Sequence, residues 1–212
     1  MIRTTLLSFL LCAQASAAPE IGPQFKELAS ISNVMIDLRY ASTNNFMGED
    51  LYGDFRTAYL HEKAFKKLVS AAKELEKVKP TWKFLVYDSL RPRSVQRRLW
   101  DKVKGTDQEQ YVANPEPGSI HNFGFAIDIS LADEDGKEVD MGTSYDNFTE
   151  LAHPELEDRL LKQGKLKLKQ VEHRRLLRGV MKRAGFHSIN NEWWHFDALP
   201  AREVRSKYKI VE

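Results

Sequence analysis

S-I-H-N-F-G-F-A-I-D, residues 119–128, is the stretch from which the rest of the chain can be read. Phe125, Ile127, Ile129 and Leu131 alternate with Ala126, Asp128 and Ser130. That period of two marks a strand. Parity sets Asp128 on the face of Ala126 and Ser130, away from the bulky apolar set. His121 stands just before the strand. Gly124 lets the backbone turn close to whatever His121 and Asp128 share. A carboxylate aimed into the apolar middle of a domain is costly unless something pairs with it. A capped turn or a hydrogen bond would satisfy either residue; a metal ion would satisfy both. The second half of a ligand set would be E-W-W-H, Glu192 to His195. Two histidines and one carboxylate leave a coordination position open for water or substrate. Glu192 beside them is a candidate base.

Taken together, S-x-H-x-x-G-x-A-x-D and the distant E-x-W-H resemble the zinc D-Ala-D-Ala metallopeptidases, relatives of lysostaphin-type enzymes and of the hedgehog signalling domain. The resemblance implies one zinc ion per chain on His121, Asp128 and His195, with Glu192 as general base. Residues 37–53, D-L-R-Y-A-S-T-N-N-F-M-G-E-D-L-Y-G, are similar to a stretch of the family's D-alanyl-D-alanine dipeptidase branch, known from vancomycin resistance. That branch has an arginine–proline pair matching Arg91 and Pro92, and its arginine binds and polarises the substrate carbonyl. Leu90 stands where the branch usually has tyrosine. M-G-T-S-Y-D, residues 141–146, resembles M-G-[S/T]-x-F-D, whose aspartate binds the free amino group of the dipeptide. This makes Asp146 a substrate-binding candidate, with Tyr145 a conservative replacement of phenylalanine. Ser119 is placed near the same pocket.

Outside these motifs the chain is ordinary for one domain with a real core. It has 212 residues, 42% of them hydrophobic, and 32 basic against 30 acidic residues. The basic residues are interspersed with acidic ones, so no nucleic-acid footprint is expected. Arg3, the short apolar run Leu6 to Ala13 and Ala15-Ser16-Ala17 fit an export signal cut after Ala17. Residues 1–17 are thus expected to be removed, and 18–212 to form the peptidase domain, in the periplasm or medium. Cys12, the single cysteine, falls inside the removed part, and Leu10 and Leu11 before it argue against a lipid anchor.

Strands are expected near 34–38, 82–87 and 186–197. Amphipathic helices are expected over 61–79, on the stripe Phe65, Leu68, Ala72 and Leu75, then over 94–103 and 171–184, the last closed by Gly185. Residues 133–136 read as a hairpin turn, 105–118 as a polar loop and 150–166 as irregular. Lys165 to Lys169 read as a solvated charge run, and the tail from Arg202 as peripheral. His61, His153, His173 and His187 read as non-metal histidines. The sum is a single α+β domain, with helices packed on a small, mainly antiparallel sheet.

The expected activity is hydrolysis of the D-Ala-D-Ala dipeptide, with an exported D,D-carboxypeptidase on peptidoglycan stems as the alternative. Two histidines and a carboxylate also suit a non-haem iron oxygenase. There, however, the acid usually follows the first histidine by two positions, not seven, and Glu192 would have no task. A non-catalytic zinc-binding module would need neither Glu192 nor Arg91.

Overall fold

The computed structural model describes residues 19–212. The expected export signal, with Cys12, lies outside the described residues. In chain order the elements are β1 (Phe25–Glu27), β2 (Val34–Ile36), β3 (Tyr59–His61), α1 (Glu62–Val78), β4 (Lys83–Asp88), α2 (Arg93–Val103), β5 (Ala126–Ala132), α3 (Glu157–Lys162), α4 (Leu168–Arg183), β6 (His187–Ser188), β7 (His195–Asp197) and α5 (Ala201–Lys207). Short 3-10 turns link several of them.

β5 is the middle strand of five, in the order β2-β4-β5-β7-β6. Only β2 and β4 run parallel; the other pairs are antiparallel. β1 and β3 form a separate two-stranded ribbon. All seven residues of β5 are buried, including those of the small-residue face. Alanine and serine on that face leave room for the side chains that gather around Asp128.

α1 packs on β4 and α4. Its buried stripe is Ala64, Leu68, Ala71, Ala72 and Leu75, with Phe65 only partly covered. Each of the two leucines contributes about 1.5–3 kcal/mol by burial. His61 caps this helix, its ring Nδ1 accepting from the Lys63 amide at 3.3 Å. Lys79, just before Pro80, has left the helical region (φ −145°, ψ 78°), as a following proline disfavours helical backbone in the residue before it, and the helix stops there.

Three sequence expectations change. Residues 150–166 are not irregular: α3 lies within them, and Leu160 and Leu166 form a small apolar cluster with Val171. Glu157 sits 3% exposed and pairs with Arg178 at 2.7 Å, so a segment that reads as polar is partly interior. The charge run likewise hides buried Leu166, and α4 begins at Leu168, before Val171. The tail, finally, is structural. Val204 is fully buried, and the Val211 amide donates to the Asn122 carbonyl at 2.8 Å. Tyr208 lies 4.4 Å from the Phe125 ring.

Candidate metal and peptide-hydrolysis site

His121 is carried on a 3-10 turn, Ile120–Phe123. Ser119 caps it: its Oγ accepts from the His121 amide at 3.4 Å, and Asn122 Oδ1 accepts from the Ser119 amide at 2.8 Å. Gly124 ends the turn at φ 71°. A Cβ there would lie 2.7 Å from the Phe25 ring, so both the conformation and the space demand glycine. The chain then enters β5, where Asp128 pairs in register with His195 on β7.

His121 Nε2, Asp128 Oδ1 and His195 Nδ1 face one another. The separations are 3.2 Å between the imidazole nitrogens and 3.3 and 3.0 Å from them to the carboxylate oxygen. Donors about 2.0–2.1 Å from one tetrahedral ion stand roughly 3.3 Å apart, so this set fits zinc. The far nitrogen of each ring is held as metal-bound histidines require. His121 Nδ1 lies 2.7 Å from the Ser89 carbonyl and His195 Nε2 lies 3.1 Å from Asp197 Oδ1. Burial opposes a charged His195, but Asp197 and Asp128 outweigh it and hold the ring well above the usual imidazole range. Asp128 is held well below the carboxylate range: burial pushes it up, but His121 and His195 win. A metal ion would replace the proton that this cluster retains.

Glu192 lies between bends at residues 191 and 193–194 before β7, not on a continuous strand. Three positions apart, residues 192 and 195 would point to opposite faces of a regular strand; the bends let both reach one site. Its Oε2 is 3.9 Å from His195 Nδ1. Burial pushes its carboxyl up to about 7, with Asp128 adding to the rise against the pull of His195. Arg91 sits beyond the end of β4, where a bulge between Val86 and Asp88 shifts the register. Asp88, fully buried, accepts from Arg91 Nε at 2.8 Å and forms an ion pair with its NH2 at 2.7 Å, and Gln96 accepts from NH1 at 2.8 Å. Tyr52 donates to the other Asp88 oxygen. Two of the five guanidinium N–H groups are thereby hydrogen-bonded and the ion pair with Asp88 fixes the planar head, leaving N–H donors on both terminal nitrogens. Leu90, 1% exposed, belongs to the apolar core.

Asp146 has a left-handed backbone, φ 56°, which aspartate tolerates better than most residues. It accepts from Tyr40 Oη at 3.1 Å and the Phe46 amide at 3.4 Å. The cavity walls strip water from it and Asp128 repels its charge, so its carboxyl is raised well above the ordinary range. A cation brought beside it would restore the ionised form. Tyr145 is not a conservative replacement: its hydroxyl donates to Asp128 Oδ2 at 2.9 Å. Burial, then Asp128 and Asp146, raise the phenol well above its usual range, so it stays a neutral donor.

The three ligand candidates, Glu192, Arg91, Asp146 and Ser119 all line one cavity of ≈ 240 Å³. That is below the roughly 300–1,000 Å³ of pockets for drug-sized ligands and suits a small molecule. His153 instead meets the Tyr111 hydroxyl at 2.9 Å, His173 the Asp140 carbonyl at 2.8 Å, and His187 is exposed. Sequence reasoning passed over Asp88, Tyr40, Gln96 and Asp197. Asp88 lies within the D-S-L-R-P-R motif and Tyr40 within D-L-R-Y, which were the available signals.

An open three-donor metal set, an acid poised near neutrality and a fixed guanidinium define a metallopeptidase. The chain belongs to the peptidase M15 family, described as D-Ala-D-Ala dipeptidase, which it matches over residues 24–211. It is 32% identical over 163 residues to the D-alanyl-D-alanine dipeptidase of Escherichia coli K12, covering 76% of this chain and 77% of that protein. It is 29% identical over 181 residues to the D-alanyl-D-alanine dipeptidase of Synechocystis, covering 71% and 72%. The corresponding enzyme of Enterococcus faecalis is 25% identical over 185 residues, covering 80% and 88%. Members of this family are zinc enzymes, and the donor set described above fits that metal.

Proposed function

We propose that this protein hydrolyses free D-Ala-D-Ala to two D-alanines, outside the cytoplasm. The observation that carries the reading is one small cavity holding the metal cluster, a carboxyl near neutrality and a separate acid, Asp146. His121, Asp128 and His195 would hold the zinc. Zinc, when bound, supplies Lewis acidity that brings the pKa of a water to about 7. Glu192 takes the proton of the attacking water as the new C–O bond forms. It then passes that proton to the leaving amine as the C–N bond breaks. The free N–H groups of Arg91 meet the negative oxygen that develops on the carbonyl. Asp146 pairs with the substrate ammonium, and Ser119 flanks the pocket.

Among the described residues no helix is long and apolar enough to cross a membrane. The placement outside the cytoplasm rests on the signal-like residues 1–17. An exported enzyme cannot reach the cytoplasmic D-Ala-D-Ala pool, so scavenging or wall turnover is the role proposed. Mature protein beginning near Ala18 in the periplasm or medium would support it; an intact Met1 in the cytosol would defeat it.

The activity is tested by assaying purified protein on D-Ala-D-Ala with and without a chelator. N-acetyl-D-Ala-D-Ala should be a very poor substrate, because Asp146 would face a neutral amide, at a cost of about 1–3 kcal/mol or more. Equal cleavage of both would indicate a carboxypeptidase acting on stem peptides.

A further inference from the structure

The two oxygens of Asp128 have different surroundings. Oδ1 faces the two imidazoles, while Oδ2 is turned away, 2.9 Å from the Tyr145 hydroxyl and 3.5 Å from Arg91 NH2. Tyr145 is itself fixed. It is 7% exposed, and its ring lies 5.1 Å from Tyr87, 5.4 Å from Trp194 and 5.9 Å from Tyr40. Trp194 adjoins His195, and its carbonyl accepts from the Ile129 amide at 3.0 Å, so the ring is tied to both ligand strands.

We propose that Tyr145 is a positioning residue for the metal: its hydroxyl occupies Asp128 Oδ2 and leaves Oδ1 as the single coordinating oxygen. Arg91 does not do this: its NH2 stands 3.5 Å from Oδ2 without a hydrogen bond, against 2.9 Å for the Tyr145 hydroxyl. Without the hydroxyl the carboxylate turns freely about its last bond. It then swings Oδ1 off the line to the metal or offers both oxygens. Partners of this kind are worth about 10- to 100-fold in metal affinity or activity. The proposal rests on the metal reading of the site and not on the substrate.

The test is zinc affinity, by competition with a chromophoric chelator, for wild type and Tyr145→Phe. The variant keeps the ring packing. Metal-free melting curves establish that it folds. The expected result is zinc bound about 10- to 100-fold more weakly than by wild type, with an altered visible spectrum in the cobalt-substituted protein. Equal affinity together with an unchanged cobalt spectrum would overturn the proposal. Absence of zinc binding by wild type would instead sink the metal reading itself. A second measurement needs no variant: NMR of the zinc-loaded wild type should show the Tyr145 hydroxyl proton slowed against exchange with solvent. A hydroxyl proton exchanging at the free rate would also overturn the proposal.

Discussion

In the proposed reaction most of the proton chemistry rests on one buried side chain, Glu192. The residue is 9% exposed, and burial pushes its carboxyl up to about 7 in the folded chain against 4.5 when unperturbed. The folded protein therefore holds this proton more tightly than the unfolded one. The stability that protonation contributes is complete below about 4.5 and is lost as pH rises through 7, at most about 3 kcal/mol. Metal-free Glu192→Gln should accordingly be more stable than metal-free wild type at pH 8, with the gap closing toward pH 5, as denaturant melts at the two pH values would read. With zinc bound, the same variant should keep its metal yet lose on the order of 10²–10⁴ in rate. Near-wild-type turnover would mean the base lies elsewhere. Wild-type activity should rise with pH through an apparent value no higher than about 7, because a cation beside the carboxylate favours its ionised form. The three candidate ligands and Glu192 could be singled out because short motifs carry them, and the fold brings all four to one cavity. Asp88 and the Tyr145 hydroxyl could not be, since each earns its role from a partner that only the fold brings near.

At the level of elements, the segment 141–151 carries Tyr145 and Asp146 and belongs to no strand or helix except for a 3-10 turn at its end. α4 holds it. Arg174, 1% exposed, donates from Nε to the Met141 carbonyl at 2.6 Å and from NH1 to the Leu151 carbonyl at 2.9 Å. Its guanidinium lies 5.7 Å from the Trp193 ring, whose Nε1 donates to Thr143 at 2.7 Å. Burial lowers Arg174 to about 10, which still leaves it charged at neutral pH. Arg174→Met should leave two carbonyls without their donors, at about 1–3 kcal/mol each. It should also raise KM for the dipeptide more than it lowers kcat, because Asp146 loosens while the metal cluster stays. A variant with unchanged stability and KM would show that the segment holds itself. The sequence revealed α4 by its apolar stripe but gave no sign of this clamp. An arginine on a helix reads as a solvated charge, and the carbonyls it satisfies carry no residue identity. α3 escaped for a related reason: Glu157 looks like surface until Arg178 is seen across from it.

Across the whole molecule, the strands present Asp128 and His195 while the turn bearing His121 is braced by the C-terminal tail. The Val211 amide donates to the Asn122 carbonyl, and the Arg93 amide donates back to the Val211 carbonyl at 2.9 Å. Tyr208 packs 5.0 Å from the His61 ring and 4.4 Å from Phe125, and its hydroxyl accepts from Lys63 at 2.8 Å. Arg205 donates to the Gly118 carbonyl at 2.9 Å, and a Cβ on Gly118 would sit 2.7 Å from Ile210. Charges at every second or third position made this tail read as peripheral, yet its few apolar residues brace Gly118 to Phe125 from below. Removing residues 208–212 should therefore act at the metal as well as on stability. Loss of Tyr208 packing is worth up to about 1.5–3 kcal/mol, and each kcal/mol lowers Tm by about 2–4 °C at this chain length. Zinc affinity should fall alongside, because the His121 turn loses its backbone tether, while Asp128 and His195 keep their β5–β7 register. A truncated protein with wild-type Tm and zinc affinity would return the tail to the periphery and leave the Ser119 cap and Gly124 alone to hold His121 in place.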